Sequence, residues 1–277
     1  MPTVPRKPPE PPPPELHKAR PMAESFGTDA AGYDQARPGY PGALVARIVA
    51  GSPGRDVLDV GCGTGIAARQ FQAAGCTVLG VEPDTRMAEF ARARGLAVEE
   101  ATFEAWDPDD RRFDTVIAAQ SWHWVDPVAG AAKAAQVLRP GGRLAIFGHV
   151  YEPPVEVARP FGAAYRRVVP DSPFANLSDR RPLDLYLAGY AKFAGAIRET
   201  GRFREPEQWR FDWERPYTRD QWLALLPTTG GLTRLRPDQL ADILDEVGTA
   251  IDALGGSFTM CSTTLATSAA LDGGPGP

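Results

Sequence analysis

The sequence predicts an α/β fold, a doubly wound sheet of mostly parallel strands with helices on both faces. Three observations carry that prediction. From Arg55 onward, short apolar runs alternate strictly with amphipathic stretches. The first apolar run enters a glycine-rich turn, "VLDVGCGTG" (57–65), that opens a helix. The run "FDTVIAAQ" (113–120) is almost continuously apolar, the pattern of a strand covered on both faces.

The elements follow in order. "DVLDVG" (56–61) is a buried strand, and "IAARQFQAAG" (66–75) a helix stopped by Gly75. "TVLGVEP" (77–83) is the second strand, followed by a helix over 84–95 with Asp84 as N-cap and Gly95 past its end. "AVEEATF" (97–103) alternates as a third strand and 113–120 is the fourth. A helix is predicted over 127–142, ended by Pro140 and two glycines, and a fifth strand over 143–150. The rhythm then breaks. Residues 151–201 carry two helical patterns without a strand between them, an insertion expected to cover one edge of the sheet. "EQWRFDWERPYT" (207–218) sets Trp209, Phe211 and Trp213 on one face of a strand. A short helix follows at "RDQWLALL", a longer amphipathic one at 236–256, and a last strand at 257–269.

Composition narrows the function. The 277 residues suffice for one large domain, and 43% hydrophobic with 23% charged residues is ordinary for a soluble globular chain. A net charge of -5 lacks the basic footprint of nucleic-acid binding. No apolar run reaches the roughly 20 residues of a membrane helix. Three scattered cysteines and three isolated histidines offer neither a disulfide framework nor a metal cluster, and they suit a reducing cytoplasm. Nine of the first 21 residues are proline, so residues 1–21 read as a disordered tail preceding a single domain over 22–270. Residues 271–277 read as a second disordered tail.

The glycine turn carries the chemistry. Glycines 61, 63 and 65 let backbone approach a ligand and aim helix N–H groups at it. A dinucleotide fingerprint needs a glycine at 66, where Ile66 stands, so a nicotinamide dehydrogenase is disfavoured. Asp59, two residues before the first glycine, suits a cationic amino group better than a pyrophosphate. Glu82 ends the second strand, where an acid accepts both hydroxyls of a ribose. Gln120 ends the fourth strand, and "QSWHWVDP" follows it with His123 between Trp122 and Trp124. In a doubly wound sheet that position lies over the ligand crevice. His123 is therefore a candidate general base or substrate hydrogen-bond partner, and equally a polar contact within an aromatic wedge.

Together, "VLDVGCGTG", "GVEPD", "DAAGYDQARPGYP", "FDTVIAAQSWHWVD" and "VLRPGGRLAIF" resemble the class I S-adenosylmethionine-dependent methyltransferases. The resemblance spans nearly all of residues 24–270. It is nearest the small-molecule type 11 group that includes trans-aconitate-methyltransferase-like proteins. It implies a Rossmann-like sheet of seven strands with the last antiparallel, S-adenosylmethionine as cofactor, and transfer of its methyl to O, N or C of a small molecule. Asp59, Gly61 and Gly63 would line the methionine part, Glu82 the ribose, and Thr102 and Phe103 the adenine, with Gly65 and Gln120 also counted among the cofactor-binding residues. Many relatives carry an acid where Thr102 stands. The segment 30–41 would fold over the cofactor, Tyr33 and Arg37 lying four apart on one helical face. There Arg37 meets the methionine carboxylate, a substrate acid or merely a surface acid. Trp122, Trp124, His149 and Tyr165 are candidate acceptor-binding residues, and Tyr186, Tyr190 and the pair Arg166-Arg167 lie in the same insertion. The expected partner is a small-molecule acceptor, with no nucleic acid and no membrane, for a monomer or homodimer. A homologue that binds the cofactor for other chemistry, and a non-catalytic binding protein that recruits a partner through the Pro-rich tail, are the competing readings.

Overall fold

The computed structural model describes residues 24–170, 172 and 181–273. The tail 1–21 and residues 274–277 lie outside them. After a short 3₁₀ turn at Glu24–Asp29 come α1 (Ala30–Ala36) and α2 (Gly42–Ala50), then β1 (Asp56–Val60), α3 (Ile66–Ala73), β2 (Thr77–Val81), α4 (Thr85–Ala93) and β3 (Ala97–Glu99). β4 (Phe113–Ala119), α5 (Pro127–Val137), β5 (Leu138–Glu152), α6 (Val155–Val168) and α7 (Pro182–Glu199) follow. β6 (Glu207–Thr218), α8 (Arg219–Leu225), α9 (Pro237–Ala253) and β7 (Ser257–Ala270) complete the domain.

Seven strands form one sheet in the order β3-β2-β1-β4-β5-β7-β6. β1 pairs in parallel with β2 and β4, while β7 runs antiparallel to both β5 and β6. The order reverses between β1 and β4, so their carboxyl ends diverge there and open a crevice. One face buries Leu58, Val116, Leu144 and Ile146 beneath α5 and α7, and the other buries Val57, Ile117, Ala145 and Phe147 beneath α2, α3 and α4. A third cluster joins α6, α8 and α9 to the ends of β6 and β7 through Tyr217, Trp222, Ile243, Val247 and Phe258. It stands above the sheet as a cap.

Four expectations change. The helix predicted over 127–142 stops at Val137, and β5 begins at Leu138. Pro140 has no amide to donate, and residues 139–142 bulge out where the register jumps from Phe113–Leu138 to Thr115–Arg143. The third strand ends at Glu99, because the Thr102 carbonyl accepts the amides of Ala105 and Trp106 in a tight turn. The insertion does not cover an edge. Its second helix, α7, lies on the sheet face over β5 and β7, and its first, α6, packs on α9 in the cap. The chain also stays engaged past residue 270: Leu271 is buried and bridges to Phe203. No helix among the described residues is long and apolar enough to cross a membrane.

Candidate active site

The crevice at the β1–β4 divergence is a cavity of about 410 Å³. Its base is the turn after β1. Gly61, Gly63 and Gly65 take φ of 64°, 55° and 86°, a left-handed backbone that only glycine enters without strain. At Gly61 a Cβ would lie 2.6 Å from Ser121 Cβ, whereas at Gly63 nothing stands within 4 Å, because that position opens on the cavity. Gly65 caps α3 and lies off the cavity wall.

Glu82 lines the cavity with its carboxylate already oriented: Oε2 accepts the Gly63 amide at 2.8 Å and Oε1 the Asp84 amide at 3.0 Å. Burial pushes its pKa up to about 7, against the pull of those two amides. Asp84 caps α4, accepts from the Arg86 side chain at 2.7 Å, and lines the same end. Thr102, Phe103 and Glu104 close that end as the chain leaves the β3 edge.

Asp59 is fully buried and does not reach the wall. Its oxygens lack a hydrogen bond of good geometry, and burial, then the nearby Glu82 charge, push its pKa up to about 7 against the pull of the Ala68 amide. The reason is its place in β1, whose side chains are covered on both faces. Any attraction it exerts on a cation acts through the glycine turn.

At the opposite end, Gln120 lines the cavity with φ of 61°, unusual for a non-glycine residue. The strained turn is pinned: its amide donates to the Phe147 carbonyl at 2.8 Å, and its Oε1 accepts the His149 amide at 2.7 Å. The wedge 122–124 is one 3₁₀ turn whose three rings diverge. His123 and Trp124 face the cavity, their centroids 4.6 Å apart, whereas Trp122 turns into the core beneath α5 and is 1% exposed. Burial alone lowers the His123 pKa to about 4, and no carboxylate offsets it.

Tyr33, Arg37 and Tyr40 roof the cavity. Arg37 falls one residue beyond α1, in extended backbone, yet still lies over the Tyr33 ring at 4.9 Å. Among the described residues its partner is no carboxylate but Thr228, whose Oγ1 accepts from Nε at 3.0 Å and whose carbonyl accepts from Nη2. His149 stands behind the wall, stacked on Tyr40 at 4.5 Å with Nδ1 2.9 Å from Thr264 Oγ1. Burial, then the Arg37 charge, lower its pKa to about 3. Tyr165 is buried in the cap with its hydroxyl 2.8 Å from Ser172 Oγ, away from the cavity. Tyr190 is core, and Arg167 pairs at 2.7 Å with Glu246. Of the tyrosines expected from the insertion, Tyr186 alone reaches the wall. Sequence reasoning passed over Tyr151, at the end of β5, and the cap loop 229–231. The alternation of β5 signals Tyr151 only once the strand is known to run on to Glu152.

Comparison with known proteins agrees with this geometry. Residues 58–146 match the family described as a methyltransferase domain. A protein of Mycobacterium bovis named an uncharacterized methyltransferase is 38% identical over 130 residues, 46% of this chain and 53% of that protein. A demethylmenaquinone methyltransferase of Tropheryma whipplei is 34% identical over 123 residues, 42% of this chain and 50% of that one. The chain thus spans about half the length of the curated relatives it matches. The solved structure of a candidate type II methyltransferase from Anaeromyxobacter dehalogenans aligns with a TM-score of 0.62 at 25% identity, covering 87% of this chain and 99% of the other. The matched segment runs from β1 into β5 and contains the glycine turn, Glu82 and the aromatic wedge; the chain carries a methyltransferase domain of the class I, S-adenosylmethionine-dependent type.

Proposed function

We propose that this protein moves the methyl group of S-adenosylmethionine to an oxygen, nitrogen or carbon atom of a small-molecule acceptor in the cytoplasm. The observation that carries the reading is one cavity with two unlike ends. One end offers a glycine turn open at Gly63 and a carboxylate held by two amides; the other is roofed and walled by aromatic rings.

The residues present fit the cofactor. Glu82, fixed by Gly63 and Asp84, is set to accept two ribose hydroxyls, with Thr102 and Phe103 beside the adenine. Thr102 supplies a neutral acceptor there, and Asp84 at the same end supplies the charge. Gly61, Gly63 and Gln120 border the methionine portion. When bound, the cofactor supplies an electrophilic methyl on a sulfonium. The chain's own task is then to hold the acceptor in line, at about 3 Å, and to exclude water. Phe26, Tyr33 and Trp124 meet edge to face at 6.0 and 6.2 Å and close the roof over that position. His123, neutral at physiological pH, offers a hydrogen bond rather than a strong base.

The test is release of S-adenosylhomocysteine when the protein is supplied with S-adenosylmethionine and a panel of small acids and phenols. Turnover without that product would point to other chemistry on the same fold. Calorimetric titration of S-adenosylhomocysteine into wild type and Gly63→Val examines the site itself; equal affinity for both would remove the assignment.

A further inference from the structure

β6 is the outer strand of the sheet, paired with β7 along one side and, among the described residues, with no strand along the other. It is 12 residues long, about twice a common strand length, and its register with β7 runs without a bulge from Glu207–Ser268 to Thr218–Ser257. A long regular edge presents a row of backbone donors and acceptors that a further strand can use. Proteins commonly blunt such edges with bulges, short strands or proline. Here the prolines stand only at the limits: Pro206 and Pro216 bracket the nine residues 207–215, each five positions from Phe211. About that centre the segment is self-complementary. An antiparallel copy of the strand, centred on Phe211, sets Arg210 opposite Asp212, Trp209 opposite Trp213, Gln208 opposite Glu214 and Glu207 opposite Arg215. No like charges meet. Moving the centre by one residue either way sets Asp212 against Asp212 or Arg210 against Arg210, and like charges directly opposite repel. The side chains are available: Gln208, Arg210, Asp212 and Glu214 are exposed on one face, and Phe211 and Trp213 are only half-buried on the other. Within the chain Arg210 meets Asp212 at 2.8 Å and Arg47 meets Glu207 at 3.2 Å, so these charges are held along the edge.

We propose that this edge pairs with the same edge of a second copy of the chain, joining two seven-stranded sheets into one across a two-fold axis at Phe211. The backbone ladder of residues 207–215 supplies the affinity. The Arg210–Asp212 and Glu207–Arg215 pairs, each occurring twice, fix the register. On one face Trp209 and Trp213 of the two copies meet across the join, with Phe211 against its own counterpart between them, and aromatic area leaves the water there. None of residues 207–218 lines the cavity, so the pairing stands whatever the cavity binds.

Sedimentation velocity of the full chain over about 1–100 μM tests this. The expected result is a species of twice the chain mass at the upper end. Arg210→Asp sets acid against acid at two places in each join and should raise the dimer dissociation constant at least about tenfold. Adding Asp212→Arg to it restores opposite signs, and the dimer should return. Register is read by crosslinking. Cys62 and Cys76 are buried and Cys261 is exposed, so the background is Cys261→Ser. A short bis-maleimide should then link Phe211→Cys to its own copy, but link Gln208→Cys only when it is mixed with Glu214→Cys. A single-chain mass at every concentration overturns the inference and leaves the edge to a strand of another protein. So does a dimer that Arg210→Asp leaves unchanged, a loss that the double reversal fails to restore, or a Gln208→Cys chain that links to itself as readily as Phe211→Cys.

Discussion

Glu82 Oε2 accepts the amide hydrogen of Gly63 at 2.8 Å, so the acid that ends β2 braces the glycine turn that follows β1. The other oxygen takes the Asp84 amide at 3.0 Å and ties the same carboxylate to the start of α4. Two sequence motifs 19 residues apart are therefore one structural unit, and the ligand acid is oriented before any ligand arrives. Glu82→Gln turns an amide NH₂ toward one of two backbone donors. We expect S-adenosylhomocysteine affinity to fall about 10- to 100-fold, with a stability loss of about 1–2 kcal/mol. Calorimetry and thermal unfolding read the two effects. Unchanged affinity would remove Glu82 from the ribose site.

The glycines of the turn should fail in different ways. Gly61→Ala places a methyl 2.6 Å from Ser121 Cβ at φ of 64°, so it should cost stability, about 2–4 kcal/mol. Gly63→Ala meets nothing within 4 Å and should cost only the left-handed backbone, about 1–2 kcal/mol, while narrowing the ligand space. Urea unfolding should therefore rank Gly61→Ala well below Gly63→Ala.

Asp59 should make stability depend on pH. Burial and Glu82 raise its native pKa to about 7 from an ordinary value of 3.8. The folded state therefore binds the extra proton, and this group's contribution weakens as pH rises from about 4 through 7. Asp59→Asn removes that ionisation. Relative to wild type, the variant should gain stability with rising pH, on the order of 2 kcal/mol by pH 8. A wild-type-minus-variant difference that stays flat between pH 5 and 8 contradicts the raised pKa.

His123→Ala should retain turnover within about tenfold of wild type, with the pH–rate profile between 6 and 8 unchanged. The physical reason is a native pKa of about 4, which leaves the ring a feeble proton acceptor. The disappearance of an ionisation near neutrality in the variant would restore His123 as the base.

The two tryptophans beside it should separate cleanly. Trp122 packs against Phe103 at 6.2 Å in the core, and Trp122→Ala should cost about 3–5 kcal/mol. Trp124 faces the cavity and Phe26, so Trp124→Ala should spare most of the stability and weaken acceptor binding. Melting temperature and KM, measured on both variants, decide.

Much of this site was legible in the chain. Glycine spacing, Glu82 at a strand end, and Gln120 and His123 at the tip of β4 follow from alternation and turn chemistry, which are local properties. Local pattern did not tell which way a side chain turns. Within "WHW" the outer residues differ by only two positions, yet Trp122 is core and Trp124 is wall, because a 3₁₀ turn rotates each successive ring by about 120°. His149 ends up behind Tyr40 rather than on the wall because Tyr40, from a distant turn, stacks over it.

The sequence by itself determined the order of strands and helices, the glycine turn and the acid that braces it, since these need only backbone propensity and period. Tertiary structure alone decided that Asp59 is sealed beneath the turn, that Tyr165 belongs to the cap, and that Arg37 faces phenols instead of a carboxylate. Those outcomes depend on contacts between segments up to 191 residues apart, such as Arg37 with Thr228, and no local pattern encodes what will stand opposite a buried charge.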